Sequence, residues 1–183
     1  MASASEQTAK MLGMGEYISA YRTKPTDNDP SFQTMLEEIG YRFDRDDKGN
    51  LEYFRKEIHP NLPKLSSVLD AYRHAVGSAI EANKRGSVVA TGMGIGKEAI
   101  DAFKFGKQLI TGRSPINKIP TYLEATSGDM YNNRLGRKFS ASRNDAMKEL
   151  NKVFINQLKR MKDEGPNFKF QENVDFKFLD QDY

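Results

Sequence analysis

The chain has 183 residues, enough for one domain with a sizeable buried core. Its 38% hydrophobic and 29% charged residues describe a folded protein rather than a disordered one, and the absence of Cys excludes disulfides, thiol nucleophiles and Cys-ligated zinc. A net charge of +3, from 28 basic and 25 acidic residues, is too balanced to argue for nucleic acid by itself.

The first element expected is a helix over about 5–22, with Met11, Met14, Tyr17, Ile18 and Tyr21 at helical spacing. A polar linker follows. Asp29 then caps a short helix with Pro30 at its first position, Phe32, Met35, Leu36 and Ile39 on one face, and Gly40 at the stop. Tyr41-Arg42-Phe43 and Leu51-Glu52-Tyr53 flank Lys48-Gly49, which predicts a small β-hairpin near 41–54. Beyond Pro63 a long helix runs to about 83, carrying Leu65, Val68, Leu69, Tyr72, Val76, Ala79 and Ile80. A second apolar helix is expected over about 87–110, rich in Gly and Ala, whose small residues would let another helix approach closely.

Residues 112–120 read as a loop, with a short helix over about 129–138 after it. The last long helix starts near Ser142, presents Ala146, Leu150, Val153, Phe154, Gln157, Leu158 and Met161, and ends at Gly165-Pro166. In the tail, Phe168 and Phe170, then Val174, Phe176 and Phe178, alternate with Lys169, Asp175 and Lys177, which would face outward. That pattern predicts a short β tail over 167–179, either a hairpin on the domain or an arm for a partner's sheet edge. The fold class is therefore mainly α: an irregular helical bundle over 1–166 with a C-terminal arm or hairpin over 167–183.

Two motifs fail on their chemistry. Thr91-Gly92-Met93-Gly94-Ile95-Gly96-Lys97-Glu98 resembles a phosphate loop, but Thr91 replaces its first Gly and Glu98 stands where a hydroxyl must hold magnesium. Asp44-x-Asp46-x-Lys48-Gly49 begins like a calcium loop, yet Lys48 and Arg55 occupy ligand positions and would repel the ion.

The informative residues lie elsewhere. Asp70 and His74 stand four apart on a helix and share a face, so the carboxylate can orient the imidazole or raise its basicity. In Asp129-Met130-Tyr131-Asn132-Asn133, three poor helix-interior residues recur at one-turn spacing, as if held against something polar. A His with carboxylates and amides suits acid–base work: His74 as base, Asp70 or Glu98 as its orienter, Asn132 or Asn133 as electrophilic stabiliser. No nucleophile is evident, so the enzymatic form of the idea is hydrolysis by activated water. The residues identify no cofactor and leave metal binding undecided.

These motifs, D-A-Y-R-H-A at 70–75, Lys97-Glu98, and D-M-Y-N-N-R-L-G-R at 129–137, resemble an uncharacterised domain family of bacteria and phages. Its members occur in phage genomes and at the C-termini of large proteins of the polymorphic-toxin kind. The family pattern is D-A-[FY]-R-H-A, then A-H-E, then D-x-x-N-N-x-x-G-R, and the resemblance covers about 65–140. It implies Asp70, Arg73, His74, Glu98, Asp129, Asn132 and Asn133 as site residues. This chain departs from it at Lys97, where the pattern has a second His.

The resemblance and that departure imply a small structural or accessory component of a phage particle, built on a vestigial enzyme-like domain. Other protein subunits would then be its partners, through the C-terminal arm. The competing expectation is a hydrolase directed at cell-envelope or lipid material, as an effector or a virion-borne enzyme. A third is a nucleic-acid-associated protein using the basic last helix, although no aromatic residues alternate with those charges. No run approaches the roughly 18 apolar residues of a membrane span, and the first residues lack the order of a secretory signal. The expected location is the virion or the host cytoplasm.

Overall fold

The computed structural model of the protein describes residues 30–45, 51–53 and 59–178. The helix expected over 5–22, the linker after it, the cap at Asp29 and the turn around Lys48-Gly49 lie outside the described residues. Five helices make up most of what is described: α1 (Pro30–Ile39), α2 (Leu65–Arg85), α3 (Ser87–Ile110), α4 (Ile119–Arg137) and α5 (Arg143–Glu164). Between α1 and α2, Phe43–Arg45 and Leu51–Tyr53 pair antiparallel over three residues each, Phe43 opposite Tyr53. The protein is mainly helical.

α2 is the central helix. It packs against α3, α4 and α5 and is buried nearly all round. Its apolar row, with Leu65, Val68, Tyr72 and Val76, joins Leu150, Phe154 and Leu158 of α5 and Leu36 of α1 in one core. Tyr72 meets Phe154 edge-on at 5.0 Å between ring centroids, and its hydroxyl donates to the side-chain carbonyl of Asn151. A single residue, Gly86, links α2 to α3 with φ of 85°, a conformation that side chains other than glycine rarely adopt.

α4 is longer than the sequence predicts. It begins at Ile119 rather than near Asp129, and only a 3₁₀ turn (Ile116–Lys118) remains structured in the expected loop. Pro120 suggested a loop, but in the first turn of a helix the missing N–H has no partner to lose. Tyr122 then stacks on Phe105 of α3 at 4.2 Å, which holds the added turns against the bundle. α5 starts as expected, with the Ser142 side chain accepting from the Asp145 amide.

The tail requires a correction. No strand forms among its described residues, 167–178. Its backbone groups bond to side-chain amides instead of a second strand. Gln157 of α5 donates to the Phe176 carbonyl at 2.8 Å and accepts its N–H at 2.7 Å. Asn132 of α4 does the same for Lys177, at 2.9 Å each way. Phe176 is thereby drawn into the core against Phe154, and Phe178 packs at its edge. Asp175, expected to face outward, is buried: it accepts from Arg160 at 3.0 Å and from the Gln171 amide at 2.7 Å. The alternating pattern was real, but two amide clamps satisfy the backbone as well as a sheet edge would.

Candidate functional site

Asp70, His74, Ser78 and Glu81 form a buried polar row on α2, at the one-turn spacings that align side chains along a helix. α4 lies across this row. Gly136 makes that approach possible, because a Cβ there would stand 2.6 Å from the Ala75 carbonyl carbon and closer still to its oxygen. α3 completes the third side with Gly94, whose Cα direction faces the Asn133 amide, and with Glu98.

At the centre is His74, which is wholly buried. Its Nδ1 lies 3.3 Å from Asn133 Oδ1, and the Ser78 hydroxyl donates to the same oxygen at 2.8 Å. An amide oxygen can only accept, so Nδ1 carries the proton and the Nε2 lone pair points the other way. There it faces two carboxylates, Asp129 Oδ1 at 3.3 Å and Asp70 Oδ2 at 3.9 Å. Donor atoms of Asp70, His74 and Asp129 all lie within 4.8 Å of one another. Arg73 pairs with Asp70 at 3.0 Å, and Lys97 pairs with Glu98 at 3.2 Å and Asp101 at 3.1 Å.

The expected site residues thus divide. Asp70, Arg73, His74, Asp129 and Asn133 come together, and Glu98 borders them through Lys97. Asn132 does not: it faces the tail and clamps Lys177. The roles also shift, since Asn133 rather than a carboxylate orients the imidazole. Sequence reasoning missed two contributors. Ser78 stands four residues after His74, and Asp101 four after Lys97, so helical spacing was a usable signal for both. Lys97 was singled out as a departure from the resembled pattern, but its pairing with Glu98 and Asp101 is visible only in the packed site.

Burial dominates the electrostatics. It lowers the His74 pKa to about 3, with the Lys97 charge adding to the effect, so the ring is neutral at physiological pH. Burial also raises Asp129 to about 8, reinforced by the charges of Asp70 and Glu98. Glu98 moves upward for the same first reason, against the pull of Lys97. Near neutrality a protonated Asp129 carboxyl therefore faces the Nε2 lone pair.

These shifts predict how stability varies with pH in chelator-treated protein. Folded Asp129 holds its proton up to about 8, whereas an unfolded one releases it near the ordinary carboxylate value of 3.8. Its contribution is lost as pH rises through that window. His74 runs the other way, because an unfolded imidazole protonates near 6.5 and the folded one only near 3. Its contribution is lost as pH falls. The two slopes oppose each other from about pH 4 to 6.5, and above that Asp129 dominates, with the raised Glu98 acting in the same direction. Thermal melts should decline from pH 6.5 towards 8, and Asp129→Asn should flatten that decline. An alkaline decline of unchanged steepness in the variant would refute the assignment.

No family model matches the chain, and no curated protein or solved structure is found similar to it. Among the described residues, no helix is long and apolar enough to cross a membrane.

Proposed function

We propose that this chain is a small structural or accessory component of a phage particle, its enzyme-like polar centre tying helices together rather than turning over substrate. The observation that carries this reading is the state of His74. A general base must reach a substrate proton, and this imidazole has no exposed surface and is held between α2 and α4 by Asn133 and Asp129. Lys97, standing where the resembled pattern has its second His, adds a cation that opposes imidazole protonation.

The assignment to a particle rests on the resemblance over 65–140. An apolar stripe on α3 supports a subunit role: Val88, Ile95, Phe103 and Ile110 recur every seven or eight residues and are all exposed. The tail, by contrast, commits Phe176 to its own core, so partner contact through that residue is not on offer. Density-gradient-purified particles probed by mass spectrometry should contain the chain in fixed copy number. Recovery only in the soluble fraction of lysed host cells would end this reading.

A second reading has its own support. The triad of Asp70, His74 and Asp129 is a constellation that hydrolases use, and the resemblance over 65–140 is what directs such an activity to cell-envelope or lipid material. His74→Ala separates the two. On the structural reading it lowers unfolding free energy by about 3 kcal/mol, from lost packing and stranded partners, with no turnover to lose. Peptidoglycan or phospholipid hydrolysis by the native chain that disappears in a folded His74→Ala variant would decide for the enzyme.

A further inference from the structure

We infer that Asp70, His74 and Asp129 form a binding site for one divalent transition-metal ion of the zinc or manganese type. The inference goes beyond the particle reading and does not depend on it.

Three features carry it. The first is spacing. Two donors bound at about 2.1 Å in tetrahedral geometry stand about 3.4 Å apart, and Nε2 lies 3.3 Å from Asp129 Oδ1 and 3.9 Å from Asp70 Oδ2. The second is orientation. A metal-binding imidazole is normally fixed by a hydrogen bond from its other ring nitrogen, and Asn133 supplies that acceptor, itself held by Ser78. The lone pair of Nε2 consequently points at the two carboxylates, where an ion would sit. The third is charge. Asp70, Glu98, Asp101 and Asp129 are set against Lys97 and Arg73, so the cluster carries two excess negative charges once an ion displaces the Asp129 proton. A divalent cation would neutralise them.

Imidazole with two carboxylate oxygens suits zinc or manganese better than magnesium or calcium, which prefer oxygen ligands throughout. Access exists along the carboxylates, since the Asp70 and Asp129 side chains keep 11% and 12% of their surface exposed while His74 has none. Lys97 opposes the ion but is itself paired with Glu98 and Asp101, which blunts its field. Three protein ligands leave a position for water. Bound metal would thus be the step that turns a helix-tying cluster into a hydrolytic one, or it would brace α2 against α4 without chemistry.

The test is calorimetric titration of the full, chelator-treated chain with Zn²⁺, Mn²⁺ and Mg²⁺, with metal content measured after dialysis. One Zn²⁺ or Mn²⁺ per chain is expected, with Mg²⁺ much weaker. Asp70→Asn and Asp129→Asn should abolish stoichiometric uptake, and Asn133→Ala should weaken it about 10–100-fold. His59→Gln, in the loop before α2, should leave it unchanged. Circular dichroism confirms that each variant is folded. Native chain that takes up no metal overturns the inference, whatever the variants do. So does uptake that survives Asp129→Asn or depends on His59. Particle association and turnover are measured separately, so either reading of function can fail while the metal site stands.

Discussion

Replacing Phe176 with Ala is expected to lower unfolding free energy by about 3–5 kcal/mol, the range for emptying a buried aromatic site. Phe176 lies at 1% exposure in the middle of the helical core, 3.7 Å from the Phe154 ring between centroids. Its backbone N–H and carbonyl are both taken by Gln157, so the surrounding chain cannot close over the gap by sliding. Removing residues 167–183 should cost more still. It would expose the faces of Phe154 and Gln157 and leave the buried amide of Asn132 without the backbone it clamps. Val174→Ala, at 52% exposure, is the control and should stay within about 0.5 kcal/mol of the native chain. Urea melts of the three variants check this. If Phe176→Ala unfolds with the same midpoint as the native chain, the tail does not complete the core and its clamps are incidental.

Gly136→Ala is expected to be nearly as damaging, although it adds a single methyl group. The Cβ would overlap the Ala75 backbone, 2.5 Å from its Cα and 2.6 Å from its carbonyl carbon. Backbone cannot rotate away as a side chain can. α2 and α4 must separate, and the His74–Asn133 contact that depends on their closeness separates with them. A loss of about 3 kcal/mol, the upper end for overpacking, is anticipated. Gly106→Ala provides the opposite sign on the same chemistry. Nothing lies within 4 Å of a Cβ at Gly106, so the exchange in mid-helix should stabilise by about 0.5–1 kcal/mol. Thermal melts compare the pair directly. Equal melting temperatures for the two variants would mean that α2 and α4 are not in the close contact described.

Much of the helical content was legible because its signals are local. Ser87–Ile110 follows a glycine and is a long, largely apolar stretch free of proline, and Ser142 caps Arg143–Glu164 by bonding an amide three residues away. The sharing of a face by Asp70 and His74 is also a local fact, set by the pitch of one helix. The early turns of α4 were misread on a local signal too, since Pro120 is compatible with a loop and with a helix start alike.

Local signals in the chain were therefore enough to place α2, α3 and α5 and to put Asp70 and His74 on one face of α2. The partner of each polar group came from the packing of the helices. Asn132 and Asn133 are neighbours with the same chemistry, but successive helix positions point about 100° apart. One therefore meets His74, 59 residues away in sequence, and the other meets Lys177, 45 residues away. The tail shows the same division. Its alternation specified an extended segment with one apolar side, but whether a strand, a partner or a side-chain amide would satisfy its backbone depended on Gln157 and Asn132 arriving from two different helices. Burial, which sets the protonation of His74 and Asp129, is likewise a property of the packed bundle. A residue's type is written in the chain, whereas its solvent exposure and its nearest charge exist only once α2, α3 and α4 have closed around it.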